Sequence, residues 1–577
     1  MDRESRESSN ARRISRRKFL LGSLVVGGAA LTACSPAQPA APTSAPAAQA
    51  PAAAAPTSAA PTGAPTAAPT AAASQKTLIV AASRDIQNLD TGTSASDPIT
   101  QEIFTNIYHW LIDYKLGKDA NGNPIGDPNS FVGDLAESYE YTNGNKTLTF
   151  HMRKGLKFSN GDPVDANSVK FTYDRLFDQK STGASLIQMA KVAGKDSIKV
   201  VDDSTVQFSI DEPNTLLFGN MAQFNNSILN PNVVKPHMTS ADPYAHEWLK
   251  ANTKGNETGP YLLESWQPGV QYVLAKNPNW WGDAPKMDRV IFRIVPDPST
   301  RLALLKSGSV DIARDIAPQD LVQLENDANI TVNRFSSRIV SFAGMNAKKP
   351  PFDNVKLRQA ISYAIPYDTI IKQALYGYGI PLKSVLPKGT PTETDEFFVY
   401  NTDPAKAKQL LAEAGYPNGL KVTFQVRSDL AESKATGVWM KSELAKAGID
   451  VTIQEMEGAA FAASLQKHEL VFFHHYGWLS INNDPFYHLY WMLKADCCDY
   501  VDYRNPEIDQ LIDKYLISTD EQGRAQASKR IQQIAVGDAV WGFLYQPDIT
   551  LATRKNVKGI TFFPADRYFR YYYMYKE

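Results

Sequence analysis

The sequence predicts an α/β protein long enough for two lobes, and three observations lead there. The chain has 577 residues, 43% hydrophobic and 21% charged, enough for two lobes with cores of their own. Apolar, strand-like runs over residues 420–426 and 449–453 flank a helical stretch over 432–446. That is a βαβ unit, which pairs its strands in parallel through a right-handed crossover. Residues 472–486, FFHHYGWLSINNDPF, begin as a buried strand and break at Gly477 into Trp478, a polar loop and an Asp484-Pro485 turn. A strand ending in an aromatic and a polar loop is the layout of a ligand-contacting edge in an α/β protein. It is equally compatible with Trp478 as core packing alone.

Taken in order, the chain opens on an address. Arg12, Arg13, Arg16, Arg17 and Lys18 precede an apolar segment over 19–31 that is too short to span a membrane comfortably and ends in small residues, as a signal peptide does. Ser15-Arg16-Arg17-Lys18-Phe19-Leu20 resembles a twin-arginine export signal. Leu31-Thr32-Ala33-Cys34 resembles a bacterial lipobox, which implies a signal peptide over 1–33 and a diacylated Cys34. Two acyl chains anchor where one does not, at roughly 0.8 kcal/mol per buried CH₂. Residues 35–74 are almost all Ala, Pro, Thr and Ser. Lacking large apolar side chains to offset ordering entropy, this stretch (34–75 with its ends) is expected to stay unfolded. As a tether it reaches on the order of 100 Å at about 3.1 Å per residue. The expected product is a soluble body held by membrane lipid on the extracytoplasmic face of a bacterial cell.

The folded part begins near Lys76, with a buried-strand pattern over 77–81 and helical spacing over 99–111. Residues 118–130 read as a polar loop. Its start resembles a calcium loop, but Pro124 replaces the required Gly and Ser130 stands where the bidentate Glu belongs, so it reads as a turn. Asn143-Gly144 signals a hairpin. Leu148, Phe150 and Met152 then alternate as a half-buried strand, and Asp165 can cap a helix with Val169, Tyr173 and Leu176 inward. Asp353 is expected to cap a helix that Pro366 ends. Asp403-Pro404 opens another, closed by Gly415, and Asn505-Pro506 opens one more. The Tyr-rich stretch 568–575 reads as a terminal strand or edge.

Several of these fragments resemble, in order and spacing, the family 5 extracellular solute-binding proteins, the oligopeptide, dipeptide and nickel binders of ABC importers. The hairpin-and-helix region 135–176 is similar to the family's signature region. Thr258-Gly259-Pro260-Tyr261 with Trp266, and Asn277-Pro278-Asn279-Trp280-Trp281-Gly282 with Trp for the family's Tyr, match two further segments. Leu304-Leu305-Lys306-Ser307-Gly308-Ser309-Val310-Asp311 matches another, and Pro351-Phe352 followed by Arg358 and Ala360 a fourth. The resemblance implies a periplasmic-binding-protein-like fold: two α/β lobes joined by a hinge that close on a ligand in the interlobe cleft. Chain crossings near 313–318 and 545–549 would give lobe I over 76–315, lobe II over 316–546, and a C-terminal return to lobe I over 547–577. It further implies a monomeric receptor that captures a small solute, foremost a peptide, and delivers it to a membrane permease. An oligosaccharide or nickel ligand stays open, as does, in a different class, a cell-surface enzyme or chaperone-like protein on the same fold.

The chain offers nothing positive for catalysis. It has no GxSxG, HExxH or Walker loop, and His246-Glu247 and His468-Glu469 lack the second His at the required place. His474 and His475 would point to opposite faces of a strand, so they could not easily grip one metal. Cys497-Cys498 reads as a vicinal disulfide or free thiols, with Asp496, Asp499 and His488 near enough to make a metal site conceivable. A formal net charge of −1 without a basic stripe argues against nucleic-acid binding. No catalytic residue, cofactor or metal is expected.

In the family's peptide binders an Asp three residues after Gly-Trp pairs with the ligand's α-ammonium; here that position is Ile481. An unpaired buried ammonium costs several kcal/mol. Asp484 is the nearest substitute, but its matching position belongs to the turn. The expected ligand contacts are Trp478 as a stacking face, Ile481 as an apolar wall, and Asp484, His475, Asn88, Tyr108, Trp110 and Phe461. The ligand would be a peptide held through other groups, an oligosaccharide stacked on aromatics, or another small polar solute.

Overall fold

The computed structural model describes residues 76–93, 98–495, 498–565 and 568–577. The signal segment, Cys34, the tether, Asp496 and Cys497 lie outside the described residues. A twelve-stranded mixed sheet organises the fold. Its main strands are β1 (Thr77–Ala82), β2 (Ile312–Ala313), β3 (Ile330–Ser336), β4 (Ile339–Met345), β5 (Leu420–Arg427), β6 (Ile449–Met456), β7 (Phe472–Leu479) and β8 (Trp541–Arg554). They lie in the order β6-β5-β7-β4-β8-β2-β1, continued by Arg289–Ile294, Gln271–Lys276 and Tyr261–Gln267, with β3 also paired to β8. The helices that matter below are α1 (Pro98–Ile107), α2 (Leu217–Met221), α3 (Ala431–Leu444) and α4 (Pro485–Leu493). The expected βαβ unit is present: β5 and β6 pair in parallel from Leu420↔Ile449 to Arg427↔Met456, with α3 between them.

β8 serves two cores. Its first residues pair with β4, and its last seven pair with β3. The largest apolar cluster spans 340–545 under β4, β5 and β7. A second is built mainly from 111–228, and a third joins β1 and α1 to the C-terminal residues. The sheet passes between cores at 336–339 and at 546–548. There the Gln546 amide donates to the Ser337 carbonyl, and the Ser337 hydroxyl donates to the Pro547 carbonyl. The stretch 313–318, expected as the first crossing, packs on the β1 side. Ala313 and Ile316 share a cluster with Ala81, Leu305 and Leu324.

Local signals account for most elements. Asn143 and Gly144 both take positive φ, 52° and 61°, and join Ala136–Thr142 to Thr147–Met152. Asp165 caps Ala166–Asp178 by accepting from Ser168 N at 2.8 Å. Four expectations are corrected. Asn354, not Asp353, caps Val355–Ala364, because its side chain folds back onto Lys356 N at 3.0 Å. The loop expected over 118–130 is a tight turn: Asp119 Oδ1 accepts from Asn121 N and Asn123 N at 2.9 and 2.8 Å, leaving Pro124–Gly133 to pair with Ile112–Lys118. The helix expected over 99–111 stops at Ile107. β7 does not break at Gly477; it runs on to Leu479, with Gly477, at φ 102°, as a bulge between Tyr476↔Ser341 and Trp478↔Val340.

The Tyr-rich end forms short strands at Tyr568–Phe569 and Tyr575–Lys576 around a turn at Tyr571–Tyr573. It is fastened to α1. Tyr571 N donates to Asn106 Oδ1 at 2.7 Å, Asn106 Nδ2 donates to Phe569 O at 3.1 Å, and Tyr571 OH donates to Glu102 at 2.9 Å. Glu102 also pairs with Arg314, and Tyr568 OH donates to Gln101.

Candidate functional site

The carboxyl end of β5 faces the loops that leave β1 and β2. Asp429, just past β5, is held below the usual carboxylate range chiefly by its hydrogen bond from Arg427, with Arg84, just past β1, adding to it. Glu432, in the first turn of α3, is pushed up by burial and by Asp315, just past β2. Loops from two cores thus meet at strand ends, the usual place for a ligand crevice in an open α/β sheet.

β7 carries His474 and His475 to this place, beside Arg427 and Ser433, with Trp478 further along the strand. The two histidines face opposite ways, as alternation requires. His474 meets Ser433 Oγ and Ser341 Oγ, each at 2.8 Å, while His475 stacks between Phe342 at 4.7 Å and Tyr500 at 5.0 Å. Burial lowers the pKa of both, and of His488, to about 3, so all three are neutral imidazoles. No group of three or more His, Cys, Asp or Glu that could hold a metal ion occurs among the described residues. The bulge at Gly477 leaves Trp478 half-buried, its ring edge-on to His488 at 4.8 Å.

Beyond β7 the chain enters a polar segment, 480–484. Arg338, at the step between β3 and β4 and only 3% exposed, donates to Ser480 O at 2.7 Å and Asn483 Oδ1 at 2.6 Å. The side chain of Ile481 packs on the 111–228 core. Its carbonyl accepts from Tyr114 OH at 3.3 Å and Gln223 Nε2 at 3.0 Å. Asp484 caps α4 through Phe486 N and Tyr487 N, accepts from Thr215 Oγ1 at 2.8 Å, and pairs with Arg524. A cavity of about 310 Å³ lies here between Asn129, Phe131 and Thr215 on one side and Thr392, Asn483 and Arg524 on the other.

The structure therefore brings Trp478, Ile481, Asp484 and His475 together on one strand and the segment after it. Asn88, Tyr108, Trp110 and Phe461 fall elsewhere. Asn88 ties its own turn through Asp90 N and Thr93 Oγ1. Tyr108 and Trp110 are sealed in the core beside α1, and Phe461 lies in the large core, 6.3 Å from the Phe473 ring. Sequence reasoning missed Arg338, Arg524, Glu432 and the asparagines Asn482 and Asn483. Arg338 had a signal, a lone charge directly before the apolar pair Ile339-Val340; Arg524, in a polar helix 40 residues from Asp484, had none.

The model of the bacterial extracellular solute-binding proteins, family 5, matches residues 130–497. The probable D,D-dipeptide-binding periplasmic protein DdpA of Escherichia coli is 28% identical over 506 residues, 86% of this chain and 93% of that protein. Heme-binding protein A of Haemophilus influenzae is 28% identical over 458 residues, 75% of this chain and 80% of that protein. Among solved structures, the periplasmic binding protein DppA of Helicobacter pylori in complex with the peptide STSA is 25% identical. It superposes with a TM-score of 0.73 over 87% of this chain and 99% of that one.

Proposed function

Because the chain belongs to the bacterial extracellular solute-binding proteins of family 5, we propose that it is the capture component of an ABC importer and that its solute is a peptide. The observation that carries the ligand class is the match, over nearly its full length, to a dipeptide-binding relative, and a peptide-bound fold neighbour supports it. The peptide would lie in the crevice at the ends of β5 and β7, with Trp478 stacking on a side chain. Since Ile481 brings no carboxylate, the peptide would be held through other groups than an ammonium pair at that position. The chain hands its solute on unchanged to a membrane permease and works as a monomer. The twin-arginine-like segment and the lipobox support export in folded form and anchoring through Cys34. We place the two lobe crossings at 336–339 and 546–548. Purification from the native host, followed by mass spectrometry of whatever co-purifies, tests the reading: a short peptide is expected, and a sugar or a metal complex in its place overturns it.

A further inference from the structure

The 480–484 segment joins β7 to α4, whose Phe472, Phe473, Phe486 and Leu489 lie in the large core. Yet four consecutive residues bond across to the other lobe. The Ile481 carbonyl takes hydrogen bonds from Tyr114 and Gln223. Asn482 Nδ2 donates to Leu216 O at 3.1 Å and Asn220 Oδ1 at 2.9 Å. Asn483 Nδ2 donates to Asn129 Oδ1 at 2.7 Å, and Asp484 accepts from Thr215. Asn482 is 5% exposed, and its amide fills the place a side chain on Gly219 of α2 would need: a Cβ there would stand 2.4 Å from the amide nitrogen. Ile481, Tyr487 and Trp491 add apolar contact to the same 111–228 core. None of these contacts needs a solute.

We propose that 480–484 is a latch that closes the two lobes by itself, with Asn482 as its positioning residue and Gly219 as the floor of its socket. The proposal rests on the two-lobed, solute-binding reading above. The closed form is then populated before solute arrives, and solute selects it. Loosening the latch lowers affinity by lowering the fraction of competent protein.

The test is small-angle scattering of the purified protein, stripped of solute by unfolding and refolding, with circular dichroism confirming the fold. The wild type should scatter as a compact particle. Asn482→Ala and Gly219→Ala should each enlarge the radius of gyration. The double variant should be no larger than Asn482→Ala, because the added methyl then has nothing to strike. Thr215→Val, at an exposed position, should shift the radius in the same direction by less. Equal radii for wild type, Asn482→Ala and Thr215→Val overturn the proposal, as does a wild type already as large as Gly219→Ala. No solute is present, so an error in the peptide assignment leaves these outcomes unchanged.

Discussion

Replacing Asp484 separates the two tasks its carboxylate performs. One oxygen caps α4, accepting from Phe486 N at 2.8 Å and Tyr487 N at 3.1 Å; the other faces Thr215 and Arg524. Losing an N-cap costs about 1 kcal/mol. Breaking a buried ion pair costs about 3–5 kcal/mol, because it strands the remaining charge. Arg524 keeps some support, from the Tyr515 and Leu516 carbonyls and from the Phe486 ring 4.7 Å beneath its guanidinium. The pair therefore contributes near or below the lower end, and Asp484→Ala should cost about 3 kcal/mol in all. Asp484→Asn keeps the capping oxygen and should cost about 2 kcal/mol, for the lost charge alone. Hydrogen exchange of the α4 amides reads this locally: the Ala variant should exchange roughly 100-fold faster than wild type when opening is confined to this region. Exchange within threefold of wild type would refute the reasoning. So would an Asn variant that exchanges normally and loses only solute affinity, which is the behaviour of a ligand counter-ion.

Further outcomes are expected. Trp478→Ala should weaken peptide binding by about 2 kcal/mol, roughly 30-fold by calorimetry, with the fold intact; unchanged affinity would make Trp478 core packing. Cys34→Ala should move the protein from the membrane to the soluble fraction, and Arg16→Lys with Arg17→Lys should block export; retention, or undiminished export, would count against each reading. The buried histidines predict acid sensitivity. His474, His475 and His488 titrate near 6.5 when unfolded but near 3 when folded, so their contribution is complete above pH 6.5 and is lost as the pH falls toward 3. Each contributes up to about 1.4 kcal/mol per pH unit. His475→Phe keeps a ring between Phe342 and Tyr500 and should flatten the fall in melting temperature between pH 6.5 and 4; an unchanged slope would contradict the assignment.

The parts of the fold that could be read in advance are those whose cause is local. Asp165, Asp403 and Asn505 cap the helices they precede because a short polar side chain can fold back two or three residues. Where two neighbours could do the same work, as Asp353 and Asn354, nothing local decides between them. A glycine serves a turn and a bulge alike, so Gly477 looked like the end of β7. The candidate site was legible only along β7. Trp478 and Asp484 are announced by their neighbours, but what Asp484 meets, Thr215 and Arg524, comes from far away in the chain. Tyr108 and Trp110 went into the core because aromatic rings at apolar spacing bury most surface there.

The fastening of the C-terminal tyrosines to α1 bears on how the molecule is made. Tyr568 lies 467 residues downstream of Gln101, and Tyr571 469 residues downstream of Glu102. At typical synthesis rates α1 waits on the order of half a minute or more for these partners. The large core, contiguous over 340–545, can assemble while the ribosome is still at work; the core around α1 cannot. Until residues 569–571 have been made, Glu102 and Asn106 have neither Tyr571 nor Phe569 to bond. A chain cut before residue 568 would therefore carry a finished large core beside an unfinished core around α1, which makes completion of that core a report that synthesis has passed Tyr571.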